Sequence, residues 1–131
     1  MVGRSARSDA TNGLRAAHIL LVEDSFLILI ELESALTDAG AQGVCSCRTV
    51  GEAMHALDEQ DVSAAILDIQ LDRETSAPVA RELAQRGVPF FFYTGQLDTR
   101  AVHDEWPDRM IVSKPAERRT IVDLVSDMLA Q

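Results

Sequence analysis

A parallel β-sheet with helices on both faces is the fold this sequence predicts, and three observations carry the prediction. Five short apolar runs, at 18–22, 44–48, 62–67, 88–93 and 110–112, are too short for helices. The first of them reads as a strand buried on both faces, as parallel sheets require, and 44–48 is a weaker strand. Segments with helical periodicity separate them, so strand and helix alternate five times. Right-handed crossovers leave few topologies for such a chain, and the flavodoxin-like strand order 2-1-3-4-5 in a three-layer fold is the natural one.

The first run, His18-Ile19-Leu20-Leu21-Val22, stops at Glu23-Asp24. Ser25 then caps a helix to Ala39, with Leu29, Leu32, Leu36 and Ala39 on one face and Gly40 just past its end. After the strand at 44–48, Thr49-Val50-Gly51-Glu52 reads as a capping box for a second helix carrying Ala53, Met54 and Leu57. The third strand, 62–67, ends at Asp68. A polar loop at 71–75 leads to a third helix, opened by Ser76 and Pro78 and closed by Gly87. Pro89 stands near the start of the fourth strand, where a missing N–H does least harm, and the strand ends at Thr94-Gly95. The segment 96–108 is sparse in apolar residues and contains Pro107, so the fourth helix is expected to be short or irregular. Met110-Ile111-Val112 forms the fifth strand, ending at Ser113-Lys114-Pro115, and Ile121, Leu124, Val125 and Met128 line one face of a last helix over 117–129.

A chain of 131 residues suits one domain, expected over 17–131 after a polar, disordered leader at 1–16. That leader lacks the apolar stretch of a signal peptide, and no apolar run reaches the roughly 20 residues a membrane helix needs. The net charge of −9 argues against a nucleic-acid surface. A cytoplasmic protein without membrane or nucleic-acid partners is expected. Cys45 and Cys47 fall on one face of a strand, an awkward geometry for a mutual disulfide. Two ligands alone make no zinc site, so they read as buried or half-buried thiols. His18, His55 and His103 are scattered over different elements and form no constellation.

The chemistry gathers at the strand ends. Four strands end in polar groups: Glu23-Asp24, Asp68, Thr94 and Lys114. A parallel sheet puts all four ends on one edge, where open α/β sheets bind ligands. Singly, Asp24 is equally a helix cap, Lys114 a surface lysine and Thr94 a turn residue; their joint alignment with strand ends carries the reading. Carboxylates about 5 Å apart repel by roughly 3 kcal/mol per pair at an effective dielectric near 20, a cost that a divalent cation removes. Hard oxygen ligands favour Mg²⁺. Asp24 and Asp68 would hold it directly, Glu23 directly or through water, and the Gln70 backbone carbonyl is a further candidate. Asp68 is also placed as a nucleophile, since carboxylates form acyl phosphates. Lys114 would neutralise charge on a phosphoryl group, and the Thr94 hydroxyl would donate to it.

With Ile19-Leu20-Leu21-Val22-Glu23-Asp24, Ala65-Ile66-Leu67-Asp68, Tyr93-Thr94-Gly95 and Val112-Ser113-Lys114-Pro115 in order, the sequence resembles the receiver domain of two-component response regulators over about 17–131. The resemblance implies that a sensor histidine kinase or phosphotransfer protein phosphorylates Asp68 with Mg²⁺ bound. It implies that Thr94 is the switch and Lys114 the phosphate-contacting lysine, and that Lys114–Pro115 is cis. The chain departs from the common pattern at Ile111, usually aromatic, and at Asp72, usually proline. Phe92-Tyr93-Thr94-Gly95-Gln96, Glu74-Thr75-Ser76 and Pro78-Val79-Ala80 resemble a subgroup of stand-alone receivers with a Phe-Ala-Thr-Gly-Tyr-like fourth strand.

The expectation is therefore a single-domain response regulator rather than an enzyme, with an unidentified output protein or a part as phosphate shuttle or sink. A Mg²⁺-dependent phosphohydrolase using Asp68 is the alternative of another class. Such enzymes want a second Asp two residues on, where this chain has Gln70. A non-phosphorylated pseudo-receiver scaffold is the third reading, and the intact Asp24, Asp68, Thr94 and Lys114 argue against it.

Overall fold

The computed structural model describes residues 14–131. Five strands, β1 (His18–Val22), β2 (Gly43–Cys47), β3 (Ala64–Leu67), β4 (Phe90–Thr94) and β5 (Ile111–Ser113), form one sheet in the order β2-β1-β3-β4-β5. Every neighbouring pair is parallel, with Val22 level with Cys47 and Leu67, Leu67 with Phe92, and Thr94 with Ser113. This is the order expected from the alternation of runs. Helices named among the described residues complete the layers: α1 (Phe26–Asp38), α2 (Val50–Glu59), α3 (Ala77–Gln85), α4 (Arg100–Glu105) and α5 (Arg118–Leu129). A flavodoxin-like three-layer architecture follows.

The pleat divides each strand between two cores. Ile19, Leu21, Ile66, Phe91 and Tyr93 pack with Leu29, Leu32 and Leu36 of α1 and Ile121 and Val125 of α5. Leu20, Val22, Leu67, Phe90 and Phe92 pack on the opposite side with Ala53 and Leu57 of α2 and Val79 and Leu83 of α3. Both faces of the three central strands are dry, which is why β1, β3 and β4 read as unbroken apolar runs, while Ser46 is exposed on the edge strand β2. The expected leader lies outside the described residues from 1 to 13. Of its remainder, Leu14 is buried in the α1–α5 core at 2% exposure.

Local chemistry sets the helix ends. The Ser25 hydroxyl accepts from the Ile28 N–H at 3.4 Å and caps α1. Gly40 (φ 105°) and Gly87 (φ 71°) turn the chain after α1 and α3 in the left-handed region that favours glycine. Thr49 caps α2 by accepting from the Glu52 N–H at 3.1 Å. The return bond of the expected capping box is displaced by one residue, because Glu52 accepts from the Arg48 N–H at 2.8 Å, not from that of Thr49. Ser76 stands at the start of α3 without a capping bond; its hydroxyl is buried and has no partner among the described residues, while Thr75 accepts from the Ala77 N–H at 3.4 Å.

α4 is a six-residue helix with no buried residue, in line with the weak periodicity of its sequence. It is held by its C-terminal neighbour, for the Trp106 ring meets the Phe90 ring edge-on at 5.5 Å. Phe91 is 1% exposed at the centre of the α1–α5 core. Phe91→Ala is expected to destabilise the protein by about 3–5 kcal/mol, and Thr49→Ala by about 1 kcal/mol, both read from urea unfolding at constant slope. A Phe91→Ala loss below that of Thr49→Ala would contradict this assignment of the core.

Candidate functional site

The sheet's main-chain ladder sets where the polar side chains stand. The Glu23 N–H donates to the Cys47 carbonyl and the Asp68 N–H to the Val22 carbonyl, each at 2.9 Å. The Lys114 N–H donates to the Thr94 carbonyl at 2.9 Å. Strand pairing thus runs one residue past each strand, and the chain fixes these residues before their side chains interact.

One ligand oxygen from each of Glu23, Asp24 and Asp68 lies within 4.8 Å of the others. Glu23 and Asp68 are buried, at 3% and 7% exposure, while Asp24 is half-buried. The Lys114 ammonium donates to Glu23 and, at 2.9 Å, to Asp68 Oδ2. Burial pulls the Lys114 pKa down, but its bonds to Glu23 and Asp68 outweigh this and hold it above the ordinary lysine value. Glu23 goes the other way. Burial pushes its carboxyl up to about 7, against the lowering bonds from Lys114 and the Ser25 N–H. With all four groups ionised, three carboxylates face one ammonium, a balance of −2 carried on hard oxygen donors. That donor set and charge fit a hard divalent cation.

The helix-cap alternative for Asp24 is taken by Ser25. The Thr94 side chain is buried and its Oγ1 accepts from the Gln96 N–H at 3.1 Å. Gln70 lies in the loop after Asp68, paired with Thr75 in an isolated antiparallel bridge. The flanking bonds join Ser76 N–H to Ile69 C=O and Leu71 N–H to Glu74 C=O, which leaves the Gln70 carbonyl uncommitted among the described residues. Its side-chain amide donates to the carbonyls of Leu71 at 2.8 Å and Glu74 at 3.1 Å. The peptide Lys114–Pro115 is cis. Cys45 and Cys47 are free thiols 3.9 Å apart, and burial pushes the Cys47 thiol up to about 12.

Two residues at the site escaped the sequence reading. Tyr93 was counted as strand core, yet its phenol oxygen accepts from the Ala116 N–H at 3.0 Å and its ring centroid lies 5.7 Å from the Lys114 ammonium. Asking where a buried tyrosine spends its hydroxyl would have flagged it. Arg48 donates to the Asp24 carbonyl from Nη2 at 3.1 Å and Nε at 3.3 Å, a contact across 24 residues with no local signature.

Residues 19–126 match the response regulator receiver domain family. Among solved structures, the chain is similar to SdrG from Sphingomonas melonis Fr1, at 34% identity and a TM-score of 0.75 over 88% of this chain and 98% of that one. It is similar to a response regulator receiver protein from Sinorhizobium medicae WSM419, at 28% identity and a TM-score of 0.75 over 89% and 97%. It also resembles the response regulator PhyR from Brucella abortus, at 26% identity and a TM-score of 0.78; there 98% of this chain matches 54% of PhyR, about half its length. No curated protein matches the chain.

The raised Glu23 value fixes the sign of a pH effect in metal-free protein. Between the ordinary value of 4.5 and about 7, the folded state holds a proton that the unfolded chain releases. Stability from this group is complete below pH 4.5 and is lost as pH rises through 7, by about 3 kcal/mol as an order of magnitude. Urea unfolding in chelator across that window should show wild type losing stability relative to Glu23→Gln as pH rises; a constant difference would contradict it.

Proposed function

The chain belongs to the response regulator receiver domain family, and from that premise we propose that Asp68 accepts a phosphoryl group from a sensor histidine kinase or a phosphotransfer protein. The observation that carries this reading is the Asp68 carboxylate, buried beside two other carboxylates with one oxygen on the Lys114 ammonium. An Asp68 oxygen attacks phosphorus, the O–P bond forms, and the bond to the donor's imidazole nitrogen breaks with its electron pair left on that nitrogen. Lys114 follows the charge onto the phosphoryl oxygens. Glu23, Asp24, Asp68 and the Gln70 carbonyl would hold Mg²⁺, which when bound offsets the carboxylate charge and draws charge from the phosphoryl oxygens.

Thr94 links the reaction to output. Its hydroxyl accepts from the Gln96 N–H and keeps its own proton free to donate to a phosphoryl oxygen. Turning toward that oxygen takes the acceptor away from Gln96, at the head of the segment that carries the short α4. Output then passes by protein contact at that face, or the domain relays or drains phosphoryl groups between kinases in the cytoplasm. Hydrolytic turnover is less well supported: two residues past Asp68 stands Gln70, whose amide is committed to Leu71 and Glu74. The complete set of Asp24, Asp68, Thr94 and Lys114 favours an acceptor over a silent scaffold.

A donor protein must reach Asp68 from outside. The first turns of α1, directly after Asp24, expose Phe26 (63%), Leu27 (66%) and Ile30 (50%). This apolar surface beside the acidic cluster suits a helical donor.

Incubation with acetyl phosphate or phosphoramidate and Mg²⁺ should add one phosphoryl group by intact mass, and none to Asp68→Asn; no gain in wild type with either reagent or with a phosphorylated kinase would overturn the reading. Leu27→Asp should slow transfer from a phosphorylated kinase or phosphotransfer protein about tenfold and leave labelling by acetyl phosphate unchanged. Equal slowing of both would remove the docking surface from the account.

A further inference from the structure

The acidic cluster sits on two loops, β1–α1 and β3–α3, and the start of α2 is bonded to both. Arg48, the residue before the α2 cap, puts two guanidinium N–H groups on the carbonyl of Asp24, from Nη2 at 3.1 Å and Nε at 3.3 Å. Arg48 is itself held, because its N–H donates to Glu52 Oε1 at 2.8 Å and the Glu52 N–H donates to the capping Thr49 hydroxyl at 3.1 Å. On the other side, the Val50 N–H donates to Glu74 Oε2 at 3.0 Å. The Glu74 carbonyl in turn takes the Leu71 N–H at 2.8 Å and the Gln70 amide at 3.1 Å. One helical turn outside the cluster thus grips the backbone of Asp24 and the loop that carries Gln70.

We infer that Arg48 is a positioning residue for the cation site: its fork on the Asp24 carbonyl holds that loop in the geometry in which Glu23, Asp24 and Asp68 converge. The inference rests on the proposed reading of the acidic cluster as a Mg²⁺ site. It runs against the electrostatic expectation for the same residue. A guanidinium near a cation site repels the cation, so its charge alone lowers Mg²⁺ affinity. Any favourable effect of Arg48 on the site must therefore come through its two hydrogen bonds to the Asp24 carbonyl. Lysine has one ammonium and no rigid fork, so it reproduces the charge but not the two-point grip.

The test is Mg²⁺ affinity of the full chain without any phosphodonor, by isothermal titration with Mg²⁺ alone, and with Mn²⁺ as a paramagnetic probe. Positioning predicts weaker binding in both Arg48→Ala and Arg48→Lys, by about tenfold for Ala, as outer partners of metal ligands usually show. Repulsion alone predicts tighter binding in Arg48→Ala and no change in Arg48→Lys. Unfolding in chelator, at the same urea slope as wild type, separates lost positioning from lost folding, since Arg48 is exposed. Weaker binding in both folded variants supports the inference. Equal or tighter binding in Arg48→Ala, beside a wild type that binds, overturns it and leaves the metal site standing. No uptake by wild type overturns the reading of the cluster and the inference with it.

Discussion

Two buried carboxylates share one ammonium at the edge of a parallel sheet. Lys114 touches Glu23 and Asp68 together, and Asp24 completes a cluster whose charge remains negative after that pairing. Burying like charges is costly, and a single lysine offsets part of it. The sheet makes the arrangement possible, because β1 and β3 lie side by side and β4 delivers Thr94 next to the strand that delivers Lys114. Change the strand order and the lysine no longer meets its carboxylates. The topology is thus fixed by packing and used by electrostatics.

The four strand ends are tied to one another through Lys114 and Thr94. Lys114 is bonded through its side chain to β1 and β3, and through its N–H to the carbonyl of Thr94. Thr94 holds the next loop by its hydroxyl. The segment beyond is lightly built, since α4 buries none of its residues and is held by half-buried Val102, the exposed Arg81–Glu105 pair and the edge-on contact between Trp106 and Phe90. Rigid strand ends facing a weakly packed helix place the compliance of the molecule on one side of the site.

Much of this was legible in the residues. Strand order, the two dry faces and the convergence of Glu23, Asp24, Asp68 and Lys114 follow from apolar runs that each stop at a polar residue. The shortness of α4 followed from the poor periodicity of 96–108. What could not be read was contact without periodicity. The grip of Arg48 on Asp24 spans 24 residues and uses a backbone carbonyl, which every position offers equally. Ser76 looked like a cap because serine caps helices, but its hydroxyl makes no capping bond, and Pro78 two residues on has no N–H to offer it. Composition narrows which group can make such a bond; only the path of the chain decides which one does.

Tyr93 binds the loop after β5 through a partner that is main chain, the N–H of Ala116. The two ends of this bond therefore carry unequal constraints. Every amino acid except proline supplies that N–H, so as far as the bond is concerned position 116 can drift through nineteen residues without loss. Position 93 has no such latitude, because phenylalanine fills the same space and leaves the N–H without its acceptor. A link of this kind is invisible to any reading of side-chain pairs, because only one of its two partners is a side chain.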